Sequence, residues 1–245
     1  MFNPYFKKIK QLIDTVEKEE IGAINNAANK IAECIQADGI LHVFGCGHSH
    51  LLGEELFYRA GGLVPVSPIL IEDLMLHKGA VRSSKLERQN GLAREFMQDI
   101  SIKPGDVMIV ASTSGRNPVP IDVADTARER GAFVIVITSP RYANSQSSRH
   151  SSGKYLYQAG DLTIDNHIEA GDTLMKEEAL DIGFGSGSTI IGMAILNGII
   201  TEAVKIMISK GFTPPIFKSG NVDGAKEHNS KLIDRYKNRI PMLES

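Results

Sequence analysis

The sequence predicts an α/β domain with a parallel sheet of five strands and helices on both faces of that sheet. Short apolar runs typical of buried parallel strands recur along the chain, and helical patterns separate them. This alternation gives parallel strands joined by helical crossovers. Two of the apolar runs also end in turns that are rich in glycine and hydroxyl side chains. In folds of this class, ligands bind at the carboxyl ends of the strands, near the reversal of strand order.

The predicted strands are short apolar runs at residues 40–44, 63–66, 107–111, 133–138 and 162–165. Pro65 indicates that the second strand lies at an edge, since proline cannot donate to a strand ladder. Apolar residues at three- and four-residue steps predict helices at residues 5–37, 51–59, 86–100, 119–130, 188–210 and 225–238. Gly22 is expected to separate two helices or to bend the first. Residues 139–154 and 166–187 are predicted as loops.

The composition is that of an ordinary globular protein: the 245 residues are 42% hydrophobic and 23% charged, with a net charge of −2. No long basic run is present, so we expect no nucleic-acid partner. Cys34 and Cys46 offer no disulfide framework and fit a reducing compartment. The first 20 residues lack the apolar core of a signal peptide, and the apolar stretch 190–200 is too short to span a bilayer. We therefore expect a cytoplasmic protein without membrane contact.

Two turns at predicted strand ends carry the chemical signal. Residues 45–50 read Gly-Cys-Gly-His-Ser-His, and residues 112–117 read Ser-Thr-Ser-Gly-Arg-Asn. Glycines let backbone N–H groups approach a ligand, and the start of the following helix favours a negative charge. Each turn alone could be a tight connection in which Ser or Thr caps a helix. Two such turns side by side in one sheet favour a shared anionic ligand.

The first turn also raises a metal hypothesis, because Cys46, His48 and His50 alternate along it. Thiolate and imidazole are soft and borderline metal ligands. A cysteine directly after a buried strand is, however, more typical of a small core residue. We therefore expect neither a metal nor a cofactor.

Three motifs together resemble the sugar isomerase (SIS) domain: residues 44–49, 112–117 and 187–192, the last opening the long apolar helix. The resemblance covers residues 31–214. It divides the chain into an N-terminal helical extension (1–30), the SIS domain and a C-terminal tail with a helix (215–245). It implies an αβα sandwich with a strand order of the flavodoxin type, a phosphosugar ligand and a homodimer or homotetramer. The residues expected to bind substrate and phosphate are Gly45, Gly47, Ser49, Ser112, Thr113, Ser114, Asn117, Ser188 and Thr189.

The resemblance does not settle the reaction. Related phosphoheptose isomerases and muramic acid 6-phosphate etherases have a glutamate where this chain has Arg59, and the heptose enzymes have a metal-binding histidine where it has Glu55. The favoured hypothesis is aldose–ketose isomerisation through an enediol, which needs a base beside the carbonyl. The candidate catalytic residues are Glu55, His77, Glu178 and His228. Glu55 could equally be a solvated helix residue and His228 an exposed histidine.

Two other functions stay open: a lyase or etherase acting on a phosphosugar, and a sensor that binds a phosphosugar without turnover. The nearly all-round apolar helix at 189–210 and the amphipathic N-terminal helix predict a homo-oligomer. The tail contains five polar residues, Asn221, Asp223, Glu227, His228 and Asn229. This density predicts that the tail folds over the mouth of a site, its own or a partner subunit's, with His228 reaching the sugar.

Overall fold

The computed structural model describes residues 3–244 and contains one five-stranded sheet in which every strand pair is parallel. The strands are β1 (Leu41–Gly45), β2 (Val66–Ile69), β3 (Val107–Ala111), β4 (Phe133–Thr138) and β5 (Leu162–Asp165). Their order across the sheet is β2-β1-β3-β4-β5. The predicted fold class and the flavodoxin-type order are therefore confirmed.

Helices cover both faces of the sheet. They are α1 (Pro4–Glu19), α2 (Ile21–Gln36), α3 (Leu51–Leu56), α4 (Ala80–Leu86), α5 (Leu92–Phe96), α6 (Pro118–Glu129), α7 (Pro140–Asn144), α8 (Ser188–Ser209) and α9 (Ala225–Tyr236). One core cluster joins α2, α3 and α8 to one face of the sheet, and a second joins α5 and α6 to the other face. Because both faces are covered, the apolar runs of β1 and β3 are buried at every position.

β2 begins three residues later than predicted. Leu63 forms an antiparallel bridge with Ile216 instead, and the Val64 N–H donates to the Pro215 carbonyl at 2.9 Å. The first part of the apolar run 63–66 therefore pairs with residues 215 and 216, and the sheet pairing of β2 starts only at Val66. β2 does lie at an edge, where Pro68 is tolerated within the strand.

Three predicted helices differ in their bounds. The first two helices meet at Glu20 rather than Gly22. α3 ends at Leu56, because the chain turns through Tyr58 at a φ of 48°. The predicted helix 86–100 is replaced by α5 and the 3₁₀ turn Met97–Asp99: α4 already ends at Leu86, and Gly91, with a φ of 84°, directly precedes α5.

α8 is apolar around most of its circumference. Within residues 3–244 it is the one helix whose length, 22 residues, and composition would allow it to cross a bilayer. Length and composition do not separate such a helix from the core helix of an α/β domain. Here Ile195, Leu196 and Ile199 are buried in the core cluster shared with α2 and the sheet.

The C-terminal segment is fastened to the amino ends of β1 and β3. Tyr236 and Ile240 pack against Ile40, which precedes β1. Arg239 Nη2 donates to Asp106 Oδ2 at 2.6 Å, and Asp106 immediately precedes β3. The tail is thus anchored at the edge of the sheet opposite the strand ends that carry the two predicted turns.

Candidate functional site

The reversal of strand order lies between β1 and β3, since the chain passes from β1 to one neighbour and then returns to the other. A small, narrow cavity opens there at the carboxyl ends of the strands. It is lined by hydroxyl side chains of all three sequence motifs together with one amide and an apolar floor. The lining residues are Ser49, Leu52, Ala111, Ser112, Thr113, Ile137, Asn166, Ser188, Thr189 and Gly192.

The first turn brings Ser49 to this cavity by folding tightly back on the strand. A Cβ at Gly45 would lie 2.5 Å from the backbone of Ser49, so a side chain there is sterically excluded. Gly47 has a φ of +55° and opens the 3₁₀ turn Gly47–His50. Both glycines shape the site rather than lining it.

Thr113 is positioned by the ends of the next two strands. Its side-chain oxygen accepts a hydrogen bond from Asn166 Nδ2 at 3.1 Å, and its carbonyl accepts one from the Ser139 N–H at 3.0 Å. Asn166 directly follows β5 and is 2% exposed. Asn166 was not among the predicted site residues, although its place directly after a predicted strand was a usable signal.

Ser188 has a second role. The Asp172 carboxylate accepts hydrogen bonds from the backbone N–H groups of Gly187 and Ser188, each at 3.0 Å, and from the Ser188 hydroxyl at 2.6 Å. The start of α8 is thus partnered by a side chain from the loop 166–187. The Ser188 hydroxyl proton points to Asp172 rather than into the cavity.

A second polar group lies beside the first turn and contains Glu87, which the sequence analysis did not select. Burial raises the pKa of Glu87, and the hydrogen bond from Asn117 and the charges of Arg88 and Arg149 act in the opposite direction. Glu87 is close enough to Cys46 for its charge to add to the burial that raises the pKa of that thiol. A partly buried carboxyl with a raised pKa is a stronger base than an ordinary glutamate and can both accept and return a proton.

Local sequence gives no signal for Glu87, which lies in the charged stretch 85–88 at the end of α4. Tertiary packing makes it distinctive: the Val119 N–H of α6 donates to its carbonyl at 3.3 Å. Asn117, which was predicted to bind phosphate, belongs to this second group instead, and its Oδ1 also accepts from Arg149 Nη1 at 2.9 Å. Ser114 lies in the same turn but does not line the cavity.

Three of the predicted catalytic residues do not line the cavity. Glu55 accepts hydrogen bonds from Arg59 Nη1 at 2.8 Å and from Asn197 Nδ2 at 3.0 Å. Both partners line a separate groove between α3 and α8. His77 is exposed on the 3₁₀ turn Leu76–Lys78, and Glu178 is exposed in the loop 166–187. The prediction that these residues surround the ligand is therefore not supported within one chain.

His228 is also remote from the cavity. Its Nε2 lies 2.9 Å from the Ile216 carbonyl oxygen, and Ile216 lines the groove beside Val204. Val204 is twelve residues beyond Gly192 of the cavity, about 18 Å along α8 at 1.5 Å per residue. Within one chain His228 therefore does not line the cavity, and its role in a site, its own or a partner subunit's, stays a prediction.

The residues of the metal hypothesis point in different directions. Cys46 is buried, His48 is exposed, and His50 Nε2 lies 3.5 Å from Glu54 Oε1. Across residues 3–244, no group of three or more His, Cys, Asp or Glu side chains is arranged to hold a metal ion.

An α/β sheet with a hydroxyl-lined cavity at its strand ends is typical of a ligand-binding domain, and comparison with known families shows which family this domain belongs to. A family model described as the SIS domain matches residues 4–139, and the chain therefore belongs to the SIS domain family. Within it, the chain is similar over nearly its whole length to UPF0309 proteins. The one from Halalkalibacterium halodurans is 56% identical over 243 residues, covering 99% of this chain and 97% of the relative. The one from Listeria monocytogenes serotype 4b (strain CLIP80459) is 54% identical over 243 residues, covering 99% and 98%.

Solved structures with the same fold include two phosphoheptose isomerases. The one from Francisella tularensis has a TM-score of 0.54 at 15% identity and covers 83% of this chain and 96% of its own. The one from Neisseria gonorrhoeae has a TM-score of 0.51 at 14% identity, covering 82% and 96%. The E. coli CFT073 protein c3406, solved in complex with a sugar phosphate, has a TM-score of 0.51 at 17% identity, covering 85% and 89%. At these identities the likeness concerns the fold.

Proposed function

We propose that the chain binds a sugar phosphate at the hydroxyl-lined cavity and is a phosphosugar isomerase acting through an enediol. The observation that supports this most is the convergence of Ser49, Ser112 and Thr113 at the reversal of strand order. Hydroxyl and backbone donors at helix starts suit a phosphate. The structural relatives include phosphoheptose isomerases and a protein in complex with a sugar phosphate, which agrees with a ligand of this class.

In this proposal the phosphate occupies the cavity and the sugar carbons extend toward Glu87. The Glu87 carboxylate takes the proton from the carbon beside the carbonyl, which gives the enediol. It returns the proton to the neighbouring carbon, while a second proton moves between the two oxygens. Asn117 orients the carboxylate by its hydrogen bond. The burial that raises the pKa of Glu87 makes the return of the proton easier.

The test is incubation of the purified protein with a panel of pentose, hexose and heptose phosphates in D₂O. We expect one aldose–ketose pair to interconvert with deuterium incorporated at the carbon beside the carbonyl, measured by NMR and mass spectrometry. A cleaved product would favour the lyase alternative. Binding without deuterium incorporation would favour the sensor, and absence of binding would overturn the proposal.

We also propose that the protein acts in the cytoplasm as a homo-oligomer, through the groove between α8 and the first two helices. This groove has a volume of about 240 Å³ and is lined mainly by apolar side chains, including Ile13, Ile21 and Ile191. Ile13 and Ile21 are 38% and 49% exposed in the single chain. A second copy would cover them. Sedimentation of a clean monomer at micromolar concentration would contradict this.

A further inference from the structure

Arg88 and Arg149 lie beside the Glu87–Asn117 pair. Arg116 lies close to Arg149. Arg149 donates from Nη1 to Asn117 Oδ1, and its backbone N–H donates to the Arg116 carbonyl, both at 2.9 Å. Arg88 directly follows Glu87 in the sequence. Burial lowers the pKa of Arg149, and the charges of Arg116 and Arg88 lower it further. Arg116 and Arg88 are therefore each close enough to Arg149 to repel its guanidinium group.

The Glu87 carboxylate acts on both Arg149 and Cys46, and a single negative charge does not neutralise three guanidinium groups. The hydrogen bonds of the Arg116 and Arg149 side chains are consistent with this excess of positive charge. Arg149 donates to an amide oxygen, and Arg116 donates to the Ser147 carbonyl at 2.9 Å and to the Gln146 amide at 3.4 Å.

Several other arginines of this chain pair closely with carboxylates, while Arg130 donates to the Met97 and Ile100 carbonyls. The pairs are Arg59 with Glu55 at 2.8 Å, Arg82 with Asp73 at 2.7 Å, and Arg239 with Asp106 at 2.6 Å. The cluster beside Glu87 uses neutral acceptors instead. It keeps an excess of positive charge, which an anion would balance.

The segment that carries Arg149 is held in place. Its carbonyl accepts from Asn90 Nδ2 at 3.4 Å, and the Ser151 N–H donates to Asn90 Oδ1 at 2.7 Å. His150 Nε2 lies 3.1 Å from Asp122 Oδ1, which ties the same loop to α6. The backbone under Arg149 is fixed while its side chain stays exposed. Such preorganisation lowers the cost of ordering the guanidinium around a ligand.

The cluster is also near the cavity. Arg116 follows the cavity residue Thr113 by three positions, which limits their Cα separation to about 11 Å at 3.6 Å per residue. A sugar phosphate anchored at Thr113 can therefore present its far end to the arginines.

We propose that Arg116 and Arg149, supported by Arg88, bind a second anionic group of the substrate, so that the preferred ligand is a sugar phosphate carrying a carboxylate or a further phosphate. This rests on the proposed binding of a sugar phosphate in the cavity. Guanidinium groups bind both anions through paired N–H donors, so the shared chemistry is an oxyanion at the end of the sugar remote from the first phosphate.

The test is calorimetric titration of the full-length protein with three probes: fructose 6-phosphate, fructose 1,6-bisphosphate and 6-phosphogluconate. We expect one of the two doubly anionic probes to bind at least about tenfold more tightly than fructose 6-phosphate, as gain of a charge-assisted hydrogen bond implies. Whichever of these two probes binds more tightly identifies the second anionic group as a phosphate or a carboxylate. Arg149→Gln should remove this preference by lowering the affinity for the preferred probe at least about tenfold, which is more than it lowers the affinity for fructose 6-phosphate.

Arg149→Lys keeps the charge and should retain part of the preference. Arg141→Gln, at an exposed arginine of α7, is the matched control and should change nothing. Equal affinity of the wild-type protein for all three probes would overturn the proposal, as would an equal loss for all three in Arg149→Gln. Failure of the underlying phosphate site looks different: Ser112→Ala would then leave fructose 6-phosphate affinity unchanged, or the wild-type protein would bind none of the probes.

Discussion

The Asp172 carboxylate accepts a hydrogen bond from the Ser188 hydroxyl at 2.6 Å. It thereby caps α8 from a position 16 residues earlier in the preceding loop. The formal N-cap residue of α8 is Gly187, which has no side chain to serve its first N–H groups. Asp172 adopts a φ of 52°, which is uncommon for a residue other than glycine. A negative charge at a helix start is favourable, and here it also fixes the loop 166–187 beside the cavity.

Asp172→Ala is therefore expected to destabilise the protein by about 1–2 kcal/mol, the cost of removing a side-chain cap. The measurement is urea unfolding followed by circular dichroism. Glu169→Ala is the matched control, because Glu169 lies in the same loop but is exposed. Its ion pair with Arg141 is long, at 3.9 Å. Equal midpoints for the two variants would show that the cap contributes nothing.

Ser112→Ala should weaken sugar-phosphate binding more than Ser114→Ala. Ser112 lines the cavity, whereas Ser114 lies in the same turn outside its lining. Loss of a hydrogen bond to a charged phosphate costs about 1.5–3 kcal/mol, and a change outside the cavity should cost little. Calorimetry with the substrate found in the isomerase screen measures both affinities. Equal losses would remove Ser112 from the phosphate site.

Glu87→Gln should lower the rate at least about 100-fold while leaving the fold intact, because an amide cannot take the proton. Glu95→Gln, at an exposed position on α5, is the control. Because burial raises the pKa of Glu87, the wild-type rate should fall on the acid side at a pH above the ordinary glutamate value of about 4.3. An unchanged rate for Glu87→Gln would assign the proton transfer to another group.

His228→Ala should leave the rate and affinity of the cavity unchanged. Its ring bonds to the Ile216 carbonyl, so its loss should cost about 1 kcal/mol of stability. Denaturant unfolding and steady-state kinetics separate the two effects. A tenfold fall in rate at unchanged stability would instead indicate that His228 completes the site of a partner subunit.

The bounds of a strand could be predicted from the sequence where its apolar run pairs only with other strands of the sheet. β3, β4 and β5 have the predicted bounds, and in β3 and β4 all or most positions are buried. β2 was misplaced, since Leu63 and Val64 pair with residues about 150 positions away, at 215 and 216. A local pattern cannot distinguish pairing of this kind from a neighbouring strand.

The same distinction applies to the site. Ser49, Ser112 and Thr113 were predictable because each closely follows a strand whose end faces the ligand edge. Glu87 was not, since its environment is created by Asn117 and Arg149, which are 30 and 62 positions further along the chain. The polar side chains around His228 hold the tail in place, since His228 and Asn229 bond to backbone groups of residues 216 and 218. The hydrophobic pattern of the sequence does not predict such contacts.

The pairing of Asp106 with Arg239 gives the last prediction. Burial alone would raise the pKa of Asp106, which is 1% exposed. Hydrogen bonds from His42, from Arg239 and from two backbone N–H groups outweigh burial and hold its pKa well below the usual range. A carboxyl with a depressed pKa stabilises the fold above its unfolded value of about 3.9, and this contribution is lost as the pH falls below that value.

Arg239→Met should therefore destabilise the protein at pH 7 by on the order of 3 kcal/mol, because it removes one partner of a buried carboxylate. Its stability should also depend less on pH below about 4, since the pKa of Asp106 moves back toward its unfolded value. Arg235→Met is the matched control, because Arg235 pairs with the exposed Asp38 and such pairs contribute about 0–1 kcal/mol. Urea unfolding between pH 3 and 7 measures both effects. Ligand affinity should not change in either variant, because the pair lies at the edge of the sheet opposite the cavity. Equal stability and equal pH dependence of the two variants would show that Asp106 does not need Arg239.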